Sequence, residues 1–197
     1  KAIEINPNFA NAYSNLGKIL YGLGKLKNAE LSYRKAINLN PSFTDAYYNL
    51  GNLFFDLNKL KDAELSYRKA TQINPNFTAA HYNLGRISID LGKLKDAEVS
   101  YRKAIELNPN FAICHANLGD LLRDLGKLKD SEFHTRKAIE INPNYAIAHA
   151  NLGDFLRDYG NLKDAEVSTR KAIALNPDYA IAYSNLGNIL SDLGKLK

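Results

Sequence analysis

The triplet Asn15-Leu16-Gly17 returns at residues 49–51, 83–85, 117–119, 151–153 and 185–187, always 34 residues further on. Pro7, Pro41, Pro75, Pro109, Pro143 and Pro177 keep the same step, and they are all six prolines of the chain. A fixed period of this length marks a solenoid, in which each unit buries its apolar face only by stacking on its neighbours. The period overrides the ordinary reading of 197 residues as one or two globular domains. The chain is expected to form one solenoid over residues 1–197, with full repeats at 10–43, 44–77, 78–111, 112–145 and 146–179. Residues 1–9, KAIEINPNF, match the end of a repeat, and residues 180–197 match the first half of another. With both ends cut inside a unit and no methionine, the chain is expected to be a fragment of a longer array.

Each repeat splits into two helical patterns. Ala12, Tyr13, Leu16, Ile19, Leu20 and Leu23 recur at three- and four-residue spacing, the period of a helix with one apolar stripe. That stripe stops at Gly24, and the equivalent positions are Asn58, Gly92, Gly126, Gly160 and Gly194. Gly and Asn most readily take the left-handed conformation that closes a helix, so Asn58 is the one substitution this geometry accepts. Leu26, Ala29, Tyr33, Ala36, Ile37 and Leu39 mark the apolar side of the second helix. Glu30–Arg34, Glu64–Arg68, Glu98–Arg102, Glu132–Arg136 and Glu166–Arg170 stand four apart on it, an order worth a few tenths of a kcal/mol each. The second helix is expected to end where an asparagine takes a left-handed cap before Pro41 and its equivalents. Gly17, Gly51, Gly85, Gly119 and Gly153 face Ala29, Ala63, Ala97, Ser131 and Ala165, and these small residues predict a close crossing of the two helix backbones. Leucine at Gly119 or Ser131 would overpack that crossing by about 1–3 kcal/mol. Gly22 fits neither role.

The order Tyr13, Leu16, Gly17, Leu20, Ala29, Tyr33, Ala36, Pro41 resembles the tetratricopeptide (TPR) signature along the whole chain. The departures are His81, His115 and His149 at the first aromatic position and Thr135 and Thr169 at the second. The resemblance implies an all-α, right-handed superhelical solenoid of antiparallel helix pairs. It also implies that the first helices line a concave groove that holds an extended peptide or a partner segment. Asn15, Asn49, Asn83, Asn117, Asn151 and Asn185 are similar to the asparagine ladder in the TPR arm of O-linked N-acetylglucosamine transferases. A carboxamide offers both donor and acceptor, so such a row suits the backbone of an extended peptide; the alternative is inherited asparagine bonded to the neighbouring helix.

The other groove positions vary. Ser14, Tyr48, Tyr82, Ala116, Ala150 and Ser184 flank the asparagines; Lys18, Asn52, Arg86, Asp120, Asp154 and Asn188 follow one turn on; then come Tyr21, Phe55, Ile89, Arg123, Arg157 and Ser191. The N-terminal half is thus aromatic and the C-terminal half ionic, which would read a partner by anchoring at one end and charge at the other. Asp56, Asp90, Asp124, Asp158 and Asp192 form a second ladder near the first-helix C-termini, where the helix dipole disfavours acid by about 0.3–1 kcal/mol. Two readings are open: a basic partner, or pairing with Lys59, Lys93, Lys127 or Lys195 three residues on.

Net charge is +5 for the chain, whereas the groove positions, Asp45 included, hold eight acids against four bases and sum to about −4, so the positive excess belongs on the edges and outer face. An acidic groove argues against nucleic acid there, because phosphates would meet like charge. No apolar run approaches the roughly 20 residues of a membrane span. Cys114 is the sole cysteine, which excludes an internal disulfide and points to the cytoplasm. It replaces a packed alanine and reads as a small buried hydrophobe. The three histidines lie one repeat apart, and packed helices stand about 8–10 Å from each other, too far to share a metal; they are expected to pack in the core. His134 stands where other repeats have Ser and is expected to be exposed.

No phosphate loop or catalytic constellation is present, so no enzyme activity, cofactor or metal is expected. The expected function is a protein-binding scaffold. The alternatives are a substrate-recruiting arm of a larger enzyme such as a glycosyltransferase, or an array that self-associates end to end through uncapped termini.

Overall fold

The structure is a computed structural model that describes residues 9–195; the expected repeat end at residues 1–8, with Pro7, and residues 196–197 lie outside them. Among the described residues there are eleven helices and no strand. The first helices of the repeats are α1 (Ala10–Gly22), α3 (Thr44–Asp56), α5 (Thr78–Asp90), α7 (Ala112–Asp124), α9 (Ala146–Asp158) and α11 (Ala180–Asp192). The second helices are α2 (Leu26–Leu39), α4 (Leu60–Ile73), α6 (Leu94–Leu107), α8 (Leu128–Ile141) and α10 (Leu162–Leu175). The chain divides into two compact units, Lys1–Ser100 and Tyr101–Lys197. In the first, α1 pairs with α2 and α3 with α4, and α5 packs on α4; in the second, α7 pairs with α8 and α9 with α10, and α11 packs on α10.

The link between paired helices is short because its cap is efficient. Gly24, Gly92, Gly126, Gly160 and Gly194 have φ between 67° and 80°, and Asn58 has φ 56°, so the left-handed position is where the pattern placed it. Lys25 N–H bonds to Leu20 C=O and Gly24 N–H to Tyr21 C=O, both at 2.9 Å, which satisfies the last carbonyls of α1. The second helices end differently from expectation. Asn40 and Asn74 are extended, with φ −140° and −126°, because a residue before proline is pushed out of helical conformations. Their side chains cap instead: the Asn40 and Asn74 Oδ1 atoms accept the N–H groups of Ser42 and Asn76, each at 3.0 Å.

Packing of the pair centres on the missing glycine side chain. A Cβ on Gly51 would lie 2.6 Å from the Tyr67 ring, so the glycine is first of all a seat for that tyrosine, which is 1% exposed. Where Thr135 and Thr169 replace the ring, a Cβ on Gly119 or Gly153 would strike the threonine hydroxyl, and the Ser131 and Ala165 carbonyls stand 3.2 and 3.3 Å away. The expected backbone approach is therefore realised in the second unit, while in the first the ring fills the crossing. In the first unit Tyr33, Tyr67, Leu53 and Ile87 form the core; in the second, Leu152, Phe155 and Ile189 do. Ile19 and Leu23 are 61% and 64% exposed, although Leu53 and Ile87, at the position of Ile19, are fully buried.

Ion pairs join one repeat to the next. Glu64 accepts from Arg68 four residues on, as expected, and also from Lys93 at 2.6 Å, 29 residues on. Glu166 does the same with Arg170 and Lys195. Arg68 reaches on to Asp96 at 2.8 Å, and Arg102 to Asp130 at 3.0 Å. These lysines are the ones considered as partners for the aspartates three residues before them. The left-handed glycine turns the chain between Asp90 and Lys93, and the ammonium meets the previous repeat's second helix instead.

Gly119→Ala is expected to cost about 1–3 kcal/mol by overpacking. Gly187→Ala, with no atom within 4 Å of the new Cβ, is expected to gain about 1 kcal/mol from helix propensity. Urea unfolding of both variants checks the pair, and equal signs would refute the packing explanation.

Candidate peptide-binding faces

On the first unit's first-helix face, aromatic rings and amides hold one another. Tyr67 Oη–H donates to Asn52 Oδ1 at 2.9 Å. The Asn83 amide nitrogen lies 3.1 Å from that same oxygen and 3.3 Å from Tyr48 Oη. Burial pushes the Tyr67 phenol well above its ordinary pKa, so it remains a neutral donor. Tyr48 packs on Phe77 with ring centres 4.9 Å apart. Arg86 lies over Phe55 at 4.8 Å and beside Tyr82 at 5.9 Å, a cation held between two rings. Tyr21 donates its hydroxyl to Asp56. Asp90 is exposed on the same face, and Asn15 is fully at the surface.

The second unit's first-helix face is ionic and linked. Arg123 is the hub, with Asp120 at 3.2 Å, Asp154 at 3.3 Å, Asp124 at 3.6 Å and Asp158 at 3.8 Å. Arg157 bonds to Asp192 at 2.6 Å, and the Asn185 amide donates to Asp154 at 2.7 Å. Five acids thus surround two guanidinium groups. Burial holds the Asp120 and Asp154 carboxyls above the usual carboxylate range in spite of Arg123, and the neighbouring aspartates add to the effect.

The asparagine row is not uniform. The amides of Asn83, Asn151 and Asn185 donate to the preceding first helix, through Asn52, the Ala116 carbonyl (3.2 Å) and Asp154. Each keeps its Oδ1 without a partner among the described residues. Asn117 is half-buried and bonded, and the Asn49 amide nitrogen is buried without a partner. The row therefore braces neighbouring helices with its donors.

Family models described as "TPR repeat" match residues 1–24 and 17–57, and models described as "Tetratricopeptide repeat" match 44–77, 78–111, 100–133, 134–167 and 169–197. Together they span the chain apart from residue 168. The chain belongs to the tetratricopeptide repeat family. No curated protein sequence matches it. Among solved structures, it is similar to YrrB, described as a TPR protein with an unusual peptide-binding site: 29% identity, TM-score 0.80, covering 93% of this chain and 94% of that one. A tetratricopeptide repeat protein from Parabacteroides merdae has TM-score 0.83 at 21% identity, over 94% and 74% of the two chains. MamA has TM-score 0.78 at 22% identity, over 88% and 95%. The last two likenesses are of fold.

Where this TPR chain departs from its own signature, histidine takes the first aromatic position and gains a specific bond. The Nε2 atoms of His81, His115 and His149 lie 2.9, 3.1 and 2.9 Å from the carbonyls of Pro75, Pro109 and Pro143. His134 is not exposed, as serine at the equivalent position of other repeats suggested, but buried at 8% exposure. The equivalent Ser32 and Ser66 are also buried and bond to backbone carbonyls, whereas Ser100 and Ser168 are half-buried. The longer His134 ring instead meets His115, Nδ1 to Nδ1 at 2.9 Å. With Nε2–H of His115 donating to Pro109, its Nδ1 is the acceptor and His134 Nδ1–H the donor, so both rings are neutral. Cys114 is buried, with its thiol pushed up to about 12 by burial and directed at the Tyr101 carbonyl. Among the described residues, no cluster of three or more metal-ligating side chains is present, and no helix is long and apolar enough to cross a membrane.

Desolvation, then His115 and Arg102, depress His134 to about 4, against the pull of Asp130; desolvation also lowers His115, with Lys137 and Glu140 nearby. The unfolded chain therefore binds protons that the fold excludes. The stability this pair lends is complete above about pH 6.5 and is lost as pH falls toward 4. His134→Ser is expected to flatten the fall of Tm between about pH 7 and about pH 5. An unchanged slope would show that the pair is not the acid-sensitive element.

Proposed function

We propose that the chain is a non-enzymatic protein-interaction scaffold whose first-helix faces bind an extended partner segment. In this reading the second unit selects a basic segment. The observation that carries the proposal is the acid excess around Arg123. Asp120 and Asp154 are partly desolvated and ionised at a cost, which a cationic side chain from a partner relieves. The Oδ1 atoms of the half-buried Asn151 and of Asn185, 9% exposed, remain as acceptors for the N–H groups of an extended backbone beside those charges. The aromatic face of the first unit supplies anchoring area, with Arg86 already fixed between Phe55 and Tyr82. The likeness to YrrB, a protein with a peptide-binding site, supports the same reading.

Fluorescence anisotropy with a labelled Arg/Lys-rich extended peptide tests it. Asp120→Asn with Asp154→Asn is expected to weaken binding by about tenfold or more, the scale of charge pairs lost from an interface. Since partial desolvation raises both carboxyls and disfavours their ionised form in the fold, Tm should stay level or rise. Equal affinity in the double variant would sink the basic-partner reading.

A further inference from the structure

The second helices share an apolar position that the repeat signature does not require. Leu31, Leu65, Val99, Phe133 and Val167 stand 34 residues apart, and each is 61–70% exposed. Two cavities open beside this position, one within each unit. The first, of about 600 Å³, lies between α2 and α4 over α3, with Leu50 and Phe54 as its floor and Leu65 and Lys69 on its rim. The second, of about 510 Å³, lies between α8 and α10 over α9, with Leu152 as floor and Val167 and Lys171 on its rim. Every residue lining the second has its counterpart 102 positions earlier in the first, so the groove is a repeated feature and not an accident of one side chain.

Charge says what kind of occupant suits it. Lys103 and Lys137 are paired with Glu106 and Glu140 three residues on. Lys69 and Lys171 stand at the same helix position, but the residues three on are Gln72 and Ala174. Neither lysine makes an ion pair among the described residues. Arg34 and Arg136 close the opposite rims, each already bonded to a glutamate of its own helix at 2.9 and 2.8 Å. Helices α2 and α4 together hold six cations against three acids, whereas α8 and α10 hold six against five. The groove linings themselves each hold two cations against one acid, Arg34, Lys69 and Asp62 in the first and Arg136, Lys171 and Glu140 in the second, an excess opposite in sign to the acidic first-helix face of the second unit.

We propose that these second-helix grooves dock an acidic amphipathic segment of a partner protein. One bulky apolar side chain of the segment enters against Leu50 and Leu65, and a carboxylate beside it pairs with Lys69. The same contacts recur at Leu152, Val167 and Lys171. This is recognition by an apolar anchor inside a charged rim, on a face the first-helix reading does not use.

The test is anisotropy titration of a labelled synthetic amphipathic peptide built from Glu and Leu at helical spacing. Leu65→Ser with Lys69→Glu is expected to weaken binding about tenfold or more, and Val167→Ser with Lys171→Glu to weaken the remainder. All four residues sit on the surface, so circular dichroism should match the parent. The Asp120→Asn, Asp154→Asn variant should bind this peptide as the parent does, which separates this site from the basic-segment face. Binding that survives both pairs of substitutions overturns the proposal. So does equal affinity for a peptide with Lys in place of Glu. Concentration-dependent self-association abolished by Leu65→Ser, without peptide binding, would assign the groove to a second copy of the chain and overturn it as well.

Discussion

A hydrogen atom where a methyl group would otherwise be sets the geometry of four helix pairs, at Gly17, Gly51, Gly119 and Gly153. With no Cβ at Gly51, the Tyr67 ring crosses the first helix at van der Waals contact; with none at Gly119, the Ser131 carbonyl approaches directly. That crossing fixes how the paired helices splay, and the splay decides which side chains emerge on each face. Close-packed interiors transmit such a constraint because they have no slack to absorb it. The asparagines, the arginine hubs and the second-helix grooves are all positioned by it, though none touches the glycine.

The two kinds of face differ in sign because their charges obey different rules. On the second helices, Glu and Arg four apart neutralise each other locally, and the surplus lysines remain as positive charge. On the first helices, acids sit near C-terminal ends, where the dipole opposes them, and they gather about Arg123 instead of meeting lysine. The outcome is a chain whose net charge describes neither face. A basic total of +5 coexists with a cluster of five aspartates around two guanidinium groups.

Much of the fold was legible because a 34-residue period repeats every local signal. The left-handed position, Asn58 included, and the Glu–Arg spacing could be read directly from residue type. Three features could not. The Asn40 cap was misassigned because the proline that follows restricts its backbone more strongly than asparagine favours the left-handed region. Pairing of Lys93 with Glu64 depends on separation across a repeat, 29 residues, and a search at helical spacing misses it. Serine at the equivalent positions points to exposure for His134, yet Ser32 and Ser66 are themselves buried and Ser100 and Ser168 half-buried. At the candidate faces, periodicity located the rows but not their bonding, since Asn83, Asn151 and Asn185 choose three different acceptors. The second-helix grooves were overlooked because Leu31 and its counterparts fall outside the apolar stripe, so only exposure reveals them.

Near-identical repeats face a hazard that ordinary domains escape: a helix pair can dock one unit out of step and still satisfy almost every apolar contact. Hydrophobic matching alone barely distinguishes such a slipped state. The ion pairs about Arg123 do distinguish it, because one repeat earlier the same position holds Ile89. Displaced by a repeat, Asp154 and Asp158 would face an apolar side chain in place of the guanidinium, and their pairing would be lost. A single polar residue can fix the register of a coiled coil in the same way. The arginine thus acts as an index mark on an otherwise uniform scale.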